Sequence, residues 1–248
     1  MTACVVIPAR YGSTRFPAKI LASETGKPLV QHVVDQAKKA QSVREVIVAT
    51  DDQRIADALR PFGTRCVMTS PQHQSGTDRI AEVAQGLEDA VIVNVQGDEP
   101  EIEPEIIDAL IERLASSGED MATAATRFPR NQSPADPNLV KVVLSHDHKA
   151  LYFSRAPIPF PRDPDDPTAH EPYLLHLGIY AYRRKFLIDF ASWDQTPLEK
   201  TEKLEQLRAL ERGHAISVLI VERAAHGIDT RQQYEAFVSR WKNDKVTR

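Results

Sequence analysis

This chain of 248 residues contains few cysteines, no long apolar runs and no large excess of one charge sign. Its 2 cysteines, Cys4 and Cys66, lie in apolar strand-like runs, so we expect reduced core residues and no metal cluster. A net charge of −4 argues against a general nucleic-acid binder, which carries a basic field. No run of about 18 apolar residues occurs, so we expect neither a transmembrane helix nor a membrane partner.

The first residues and the overall composition indicate the class of protein. Met1-Thr2-Ala3 leads directly into a strand, without the charged and apolar regions of a secretory signal, so we expect a cytoplasmic protein. Hydrophobic residues make up 42% and charged residues 27%, which is typical of soluble globular proteins. The length predicts a single domain over residues 1–248 with a sizeable core.

Strand-like and helix-like runs alternate in the first half of the chain, which predicts an α/β fold. Its strands are nearly continuous in Val and Ile, as in a parallel sheet covered on both faces, and ligands of such sheets bind beyond the carboxyl ends of the strands. The predicted strands are 3–7, 45–50, 65–68 and 90–95, and the predicted helices are 28–40, 53–62, 77–86 and 104–114. The residues that follow strand ends, and that we expect at one edge, are Arg10, Asp51, Asp52 and Asp98.

The second half is richer in strands, and residues 121–182 contain most of them. Segment 156–173 holds six prolines and is predicted to be a loop, either a lid, a dimer arm or an ordinary surface loop. The predicted strands are 121–127, 139–144, 150–154, 174–182 and 215–221, and helices are predicted at 198–212 and 231–242.

The loop after the first strand carries three cations, Arg10, Arg15 and Lys19, among small residues. Arginine forks and a lysine point charge suit the oxygens of a triphosphate. The loop matches neither the Walker A spacing nor the glycine fingerprint of dinucleotide-binding proteins, which disfavours an NAD-dependent dehydrogenase. The alternative is an ordinary solvated turn.

Two aspartates are candidates for holding Mg²⁺. Asp98 stands at a strand tip in Gln96-Gly97-Asp98-Glu99-Pro100, and magnesium bound to phosphates takes one or two carboxylates. Asp229 completes such a pair if the last strand lies beside the strand that ends at Asp98. The alternative for each aspartate is to cap the helix that follows it.

Two further stretches offer polar groups to a ligand. Ser75, Gly76 and Thr77 resemble a helix N-terminus open to an anion or a base edge, with plain N-capping as the alternative. In the predicted helix 198–212, Glu202, Glu205 and Gln206 share one face by their spacing. Facing a cleft they suit a polyhydroxylated sugar, and facing solvent they are ordinary surface residues.

Taken together, these motifs resemble the 3-deoxy-manno-octulosonate (Kdo) cytidylyltransferase family over nearly the full length and in the same order. The resemblance starts with Pro8-Ala9-Arg10-Tyr11, continues through Lys19, and includes Val93-Asn94-Val95-Gln96-Gly97-Asp98-Glu99-Pro100. The other matching segments are 48–51, 73–79, 138–143, 150–155, 176–182, 204–208 and Asp229-Thr230.

The resemblance implies a nucleotide-diphospho-sugar transferase-like α/β fold, with a mixed, mainly parallel sheet flanked by helices and a smaller strand-rich dimerisation insertion. It further implies a homodimer that uses Mg²⁺ to transfer CMP from CTP to Kdo for lipopolysaccharide synthesis. The implied catalytic residues are Arg10, Lys19, Asp98 and Asp229, the two aspartates being the metal ligands. The implied nucleotide contacts are Pro8, Ala9, Arg10, Arg15, Lys19, Gln74, Ser75, Arg79 and Asp98. The implied sugar contacts are Gln96, Arg155, His176, Tyr180, Glu205 and Gln206.

The sequence departs from the family pattern at two places. Phe16-Pro17-Ala18-Lys19 replaces a loop in which leucine and glycine are usual, and Ala224-Ala225-His226-Gly227 replaces an expected Pro-Gly. Because the second change precedes Asp229, 8-amino-Kdo is an alternative sugar. A sialic acid and a non-catalytic nucleotide-binding role are the remaining alternatives.

Overall fold

The residues predicted as strands form strands in this computed structural model, which describes residues 2–12, 16–163, 171–222 and 227–246. The chain divides into two units, Met1–Asp108 with Ala225–Arg248, and Ala109–Ala224. The interpretation of residues 1–248 as one domain stays a prediction. The strands are β1 (Ala3–Ala9), β2 (Val43–Thr50), β3 (Arg65–Met68), β4 (Val91–Asn94), β5 (Met121–Arg127), β6 (Lys141–Leu144), β7 (Ala150–Ser154), β8 (Leu174–Arg183) and β9 (Ile216–Val221). The helices are α1 (Leu29–Ala37), α2 (Gln53–Leu59), α3 (Gly76–Gln85), α4 (Pro104–Ser117), α5 (Arg184–Ser192), α6 (Pro197–Glu202), α7 (Leu207–Glu211) and α8 (Arg231–Val246).

The first unit contains a parallel sheet in the order β3-β2-β1-β4. All four residues of β4 and the last five of β2 are buried, as the Val/Ile runs predict for a sheet covered on both faces. Ala9 pairs with Thr50, and Val6 pairs with Asn94. The carboxyl ends of these strands therefore lie at one edge of the sheet.

The second unit mixes strand directions. β5 runs parallel to β9 and antiparallel to β8, while β6 pairs antiparallel with both β7 and β8. The predicted α/β class with mixed and mainly parallel strands is confirmed, and so is the richness in strands of residues 121–182. Within the described residues 156–163 and 171–173 of the proline-rich segment there is no helix or strand. Its role as lid or dimer arm stays a prediction.

The predicted helix 198–212 is wrong, because α6 and α7 replace it. Lys203 has a φ of 54°, which is left-handed and ends α6. Glu202 fixes this turn, since its carboxylate accepts hydrogen bonds from the Ser154 hydroxyl at 2.6 Å and the Arg155 amide at 2.9 Å. Glu202, Glu205 and Gln206 therefore do not share one helical face. Helix α5 was not predicted.

An aromatic cluster anchors the loop that carries Lys19. Phe16 is buried together with Leu29, Ile228 and Tyr234, and the rings of Phe16 and Tyr234 lie 5.6 Å apart. The Tyr234 hydroxyl accepts a hydrogen bond from the Glu24 amide at 2.9 Å. The segments before Lys19 and around Asp229 are therefore packed onto the same helix, α8.

Ala18 stands in a backbone conformation that favours glycine, with a φ of 54°. Because an L-residue with a Cβ pays about 1 kcal/mol or more in the left-handed region, we expect Ala18→Gly to raise the free energy of unfolding by about 1 kcal/mol. Urea denaturation measures the change. Ala22→Gly is the control, because Ala22 has a φ of −55° and the same substitution there is expected to destabilise. Equal destabilisation by both variants contradicts the expectation.

No helix in the described ranges has both the length and the apolar character needed to cross a membrane.

Candidate active site

Residues that follow β1 and β2 stand at the carboxyl edge of the sheet in the first unit. Arg10 follows β1 directly and is exposed, which leaves its guanidinium accessible to a ligand. Ala9 is buried and Pro8 partly buried at the end of the same strand. Asp51 follows β2 and accepts a hydrogen bond from Arg79 at 2.9 Å. Arg15, the third predicted phosphate ligand, lies outside the described residues.

Lys19 joins the two aspartates that were predicted to hold magnesium. Its ammonium lies 2.6 Å from Asp98 Oδ2 and 3.0 Å from Asp229 Oδ1. It also donates to the carbonyl of Ile228 at 2.9 Å. The Lys19 side chain is only 11% exposed, against 26% for Asp98 and 42% for Asp229. The predicted pair of carboxylates therefore exists and is already arranged around one cation.

A loop brings Asp229 to Asp98, and the predicted strand arrangement does not. The Ile228 amide donates to the Asp98 carbonyl at 2.8 Å, which places the residue before Asp229 beside the turn after β4. The preceding strand, β9, pairs with β5 instead. The strand arrangement that was given as the condition for the pair is thus not what joins the two carboxylates, although they do meet.

Glycines let three segments approach each other closely at this edge. A Cβ on Gly97 would lie 3.2 Å from the Pro8 carbonyl oxygen and 3.2 Å from Ile20 Cδ1. A Cβ on Gly76 would lie 3.3 Å from Pro8 Cγ. The space at Gly97 is filled by protein atoms, so this glycine serves the packing of the turn that presents Asp98.

Glu99 follows Asp98 in the turn after β4. Burial, together with the charge of Asp98, raises the pKa of Glu99 to about 8. At pH 7 the Glu99 side chain is therefore mostly neutral.

The residues predicted to hold the cytidine already have protein partners. Ser75 caps α3 in a capping box, accepting from the Asp78 amide at 3.1 Å while the Asp78 carboxylate accepts from the Ser75 amide at 3.2 Å. Arg79 is buried and donates to Thr69 at 2.6 Å as well as to Asp51. Gln74 is exposed. The capping alternative is confirmed for Ser75, and the contacts of these residues with cytidine stay predictions.

In the second unit, His176 and Tyr180 form a polar and aromatic group on β8, with ring centroids 5.5 Å apart. His176 Nε2 lies 3.1 Å from the Thr123 hydroxyl oxygen, and that hydroxyl donates to the Ile179 carbonyl at 2.8 Å. Burial lowers the pKa of His176 to about 3 and raises the pKa of Tyr180, with the charge of Glu205 adding to the second effect. Both side chains are therefore neutral hydrogen-bonding groups at pH 7.

Gln206, also in the second unit, is buried, and its amide nitrogen Nε2 has no hydrogen-bond partner among the described residues. An unpaired buried donor costs about 1–3 kcal/mol, and such donors often await a ligand or an ordered water. This observation agrees with the predicted contact between Gln206 and a sugar hydroxyl.

Arg155 has a structural task that the sequence did not indicate. Its guanidinium donates to the carbonyls of Glu202 at 2.7 Å and Pro137 at 2.7 Å, and to that of Lys203 at 3.3 Å. The contact of Arg155 with a sugar carboxylate stays a prediction, and it would use the N–H groups that do not take part in these bonds. Gln96, the predicted sugar contact in the first unit, donates to the Asn94 side chain at 3.4 Å.

Sequence reasoning missed several polar partners in these regions. The carbonyl of Ile228 carries no sequence signal, because any residue supplies one. Thr123 stands in an apolar strand, and its hydroxyl group is the feature of the sequence that could have indicated a hydrogen-bond partner for His176. Lys141 is fully buried, and its ammonium donates to the Arg155 carbonyl. A lysine within an apolar run of the sequence could have suggested such a buried contact.

The partly buried imidazole of His176 predicts a pH dependence of stability. Its folded pKa of about 3 lies below the unfolded value of 6.5, so the unfolded chain binds more protons between these values. Stability is therefore lost as the pH falls below 6.5, by about 1.4 kcal/mol per pH unit. We expect His176→Gln to lose less stability than the unmodified protein between pH 6.5 and 5, by about 2 kcal/mol.

Urea denaturation at several pH values measures this difference. His146→Gln is the control, because it is the same substitution at an exposed histidine. A slope for His176→Gln equal to that of the unmodified protein contradicts the assignment.

A separate cavity of about 1000 Å³ lies within the second unit. Arg127, His146, Phe160 and Arg162 are among its walls. None of the described residues that line it belongs to the predicted site.

The sheet edge with its cations and paired carboxylates is the arrangement of a nucleotide-binding α/β protein, and the comparisons with known proteins give the class. The family model described as Cytidylyltransferase matches residues 4–216. A 3-deoxy-manno-octulosonate cytidylyltransferase of Geotalea uraniireducens is 49% identical over 98% of this chain and 100% of its own length. The protein of the same name from Trichlorobacter lovleyi is 48% identical over 93% of this chain and 94% of its own length.

A solved structure gives the same result. CMP:2-keto-3-deoxy-manno-octonic acid synthetase complexed with CTP is 39% identical and superposes with a TM-score of 0.91, covering 98% of this chain and 100% of that one. This chain belongs to the cytidylyltransferases, and within them to the 3-deoxy-manno-octulosonate cytidylyltransferase family. The predicted nucleotide-diphospho-sugar transferase-like fold and the family resemblance are thereby confirmed.

Proposed function

We propose that this protein transfers CMP from CTP to the anomeric hydroxyl of 3-deoxy-D-manno-octulosonate, or of a close analogue such as 8-amino-Kdo, and releases pyrophosphate. The observation that carries the proposal is the joining of Lys19 to Asp98 and Asp229, since it puts a phosphate-binding cation and two carboxylates at one place. The names of the similar proteins supply the nucleotide and the sugar. The product serves lipopolysaccharide synthesis.

The first unit would hold the triphosphate. Arg10 is exposed at the end of β1, where its guanidinium can bind two phosphate oxygens, and Lys19 supplies a mobile point charge. Arg15 is proposed as a third cation by family resemblance. These charges neutralise the pyrophosphate as it leaves, which is the main demand of phosphoryl-type transfer.

The donor set at Lys19 fits Mg²⁺, with Asp98 and Asp229 as the residues that would hold it. Two carboxylate oxygens lie within 3.0 Å of one ammonium, so the fold already directs both at a single cation. The described part of the chain has no group of three or more His, Cys, Asp or Glu placed for a metal, and a magnesium completed by phosphate oxygens needs no larger group. When bound, magnesium supplies a Lewis acid that polarises phosphoryl oxygens.

The reaction is a displacement at the α-phosphorus of CTP. The anomeric hydroxyl oxygen forms the new O–P bond, the bond to the pyrophosphate breaks, and the hydroxyl proton passes to solvent. The task of the protein is to position both substrates and to neutralise charge, and we assign the sugar to neutral hydrogen-bonding groups. Such groups are His176 and Tyr180, whose pKa shifts keep them neutral at pH 7. Gln206 is another, because its amide nitrogen Nε2 has no partner among the described residues. Arg155, Glu205 and Gln96 remain proposed contacts by resemblance.

Pyrophosphate release tests the proposal. CTP and Mg²⁺ are supplied with Kdo, 8-amino-Kdo or a sialic acid in parallel, and CTP without sugar is the control. We expect release with one of the two Kdo sugars. Release with the sialic acid alone would keep the reaction and change the acceptor. No release from folded protein that still binds CTP would contradict the proposal and favour a non-catalytic role.

A homodimer and a cytoplasmic location are also predicted, the first by resemblance and the second from the N-terminal sequence. Both stay predictions. Light scattering during size-exclusion chromatography measures the mass in solution and tests the first.

A further inference from the structure

We infer that Lys19 is an internal counter-cation of Asp98 and Asp229, which competes with the divalent cation for them and releases them when it binds the triphosphate. The inference deepens the proposed function and rests on it. It assigns to one side chain the control over the order in which nucleotide and metal bind.

Hydrogen-bond capacity is the first argument. A lysine ammonium has three N–H donors and no acceptor. All three have a protein acceptor here, namely Asp98 Oδ2 at 2.6 Å, Ile228 O at 2.9 Å and Asp229 Oδ1 at 3.0 Å. The same three N–H groups cannot also hold a phosphate, so binding of the triphosphate by Lys19 requires that the contacts to the carboxylates be given up.

Charge is the second argument. The Lys19 ammonium stands at the place where a metal cation bound to both carboxylates would stand. If both cations were present there, they would repel each other strongly, because the site is partly buried. The Lys19 side chain is 11% exposed, so water screens this repulsion poorly. Asp98 and Asp229 are 26% and 42% exposed and therefore accessible to an ion from solvent once Lys19 withdraws.

Local structure permits the exchange without movement of the backbone. Lys19 begins a short 3-10 turn, Lys19–Leu21, behind Ala18 in its left-handed conformation. Phe16 holds this segment in the aromatic cluster with Tyr234. The four-carbon stem of lysine is flexible, so rotamer changes can move the ammonium away from the carboxylates.

Binding of Mn²⁺ to the protein without nucleotide tests the competition. Electron paramagnetic resonance of free Mn²⁺ gives the dissociation constant for the unmodified protein and for Lys19→Met. We expect Lys19→Met to bind Mn²⁺ about tenfold more tightly or better, within the usual range of coupling between sites. Adding Asp98→Asn to Lys19→Met should abolish this gain, because the gain depends on the carboxylate.

Two matched variants make the result specific. Lys27→Met removes another lysine that is paired with an aspartate, Asp35, and should leave Mn²⁺ binding unchanged. Lys19→Arg keeps the charge and should bind Mn²⁺ as weakly as the unmodified protein. Thermal melting checks that each variant is folded, and Lys19→Gln replaces Lys19→Met if the latter does not fold.

The reciprocal measurement uses CTP in EDTA. If the carboxylates compete with the triphosphate for Lys19, Asp98→Asn should tighten metal-free CTP binding several-fold. The same substitution should have a smaller effect on CTP binding in the Lys19→Met variant. An equal effect in both backgrounds would show only a general loss of negative charge and would overturn the inference.

Unchanged Mn²⁺ affinity in Lys19→Met and Lys19→Gln would also overturn it. Neither readout needs turnover, so failure here is distinct from failure of the proposed reaction, which pyrophosphate release reports separately.

Discussion

Asp98→Asn is expected to lower the turnover number at saturating CTP and Kdo by about a thousandfold or more, with the fold retained. The carboxylate lies 2.6 Å from the Lys19 ammonium and is one of the two groups that would hold magnesium. The amide removes the negative charge at nearly constant shape, and a loss of about 4 kcal/mol of transition-state stabilisation corresponds to that factor. Pyrophosphate release under saturating substrates measures it, and circular dichroism confirms the fold.

The control for this variant is Asp52→Asn at the same edge of the sheet. Asp52 caps α2, accepting from the Arg54 amide at 3.0 Å, and has no contact with Lys19 in the described structure. Asn is also a good N-cap, so we expect nearly unchanged stability and turnover. Turnover by Asp98→Asn within tenfold of the unmodified protein would remove Asp98 from the metal site.

The sheet of the first unit could be predicted from the sequence because burial on both faces leaves a strong pattern. β1, β2 and β4 are rich in Val, Ile and Ala, and such apolar strands are typical of a parallel sheet that is covered on both faces. The positions of Arg10 and Asp98 followed, since Arg10 comes directly after β1 and Asp98 lies in the turn after β4. Residue type and strand order were enough at these positions.

Tertiary contacts decided what the sequence could not reveal. Lys203 gives no local signal for a left-handed residue, yet contacts of Glu202 with Ser154 and Arg155 fix the turn that divides α6 from α7. In the same way, Asp229 reaches Asp98 through one backbone hydrogen bond of Ile228, not through neighbouring strands. Such contacts join residues far apart in the chain, and no short-range pattern records them.

Site residues were predicted by type more successfully than by partner. Lys19, Asp98 and Asp229 do come together, and the proposed function rests mainly on these three residues. Arg79 and Arg155, by contrast, donate to protein groups whose presence the sequence did not show. Residue type therefore indicated that these two arginines are polar partners in the fold, but it did not indicate which groups they contact.

Gln206→Met is expected to change stability and sugar binding in opposite directions. Methionine has nearly the same shape but no N–H, so it removes the buried Nε2 that lacks a partner in the described structure. We expect the free energy of unfolding to rise by about 1 kcal/mol. Since the same N–H is proposed to bind a sugar hydroxyl, the KM for the sugar should rise by about 10–100-fold while the KM for CTP stays unchanged.

Gln31→Met provides the matched control, because it is the same substitution at a buried glutamine whose polar atoms are paired. Gln31 Nε2 donates to Asp35 at 2.7 Å, and its Oε1 accepts from the Thr64 hydroxyl at 2.8 Å. This variant should lose about 1–3 kcal/mol of stability and keep the KM for the sugar. If Gln206→Met also destabilises the protein and leaves the KM for the sugar unchanged, the Gln206 amide serves the fold, and the sugar is held by other residues.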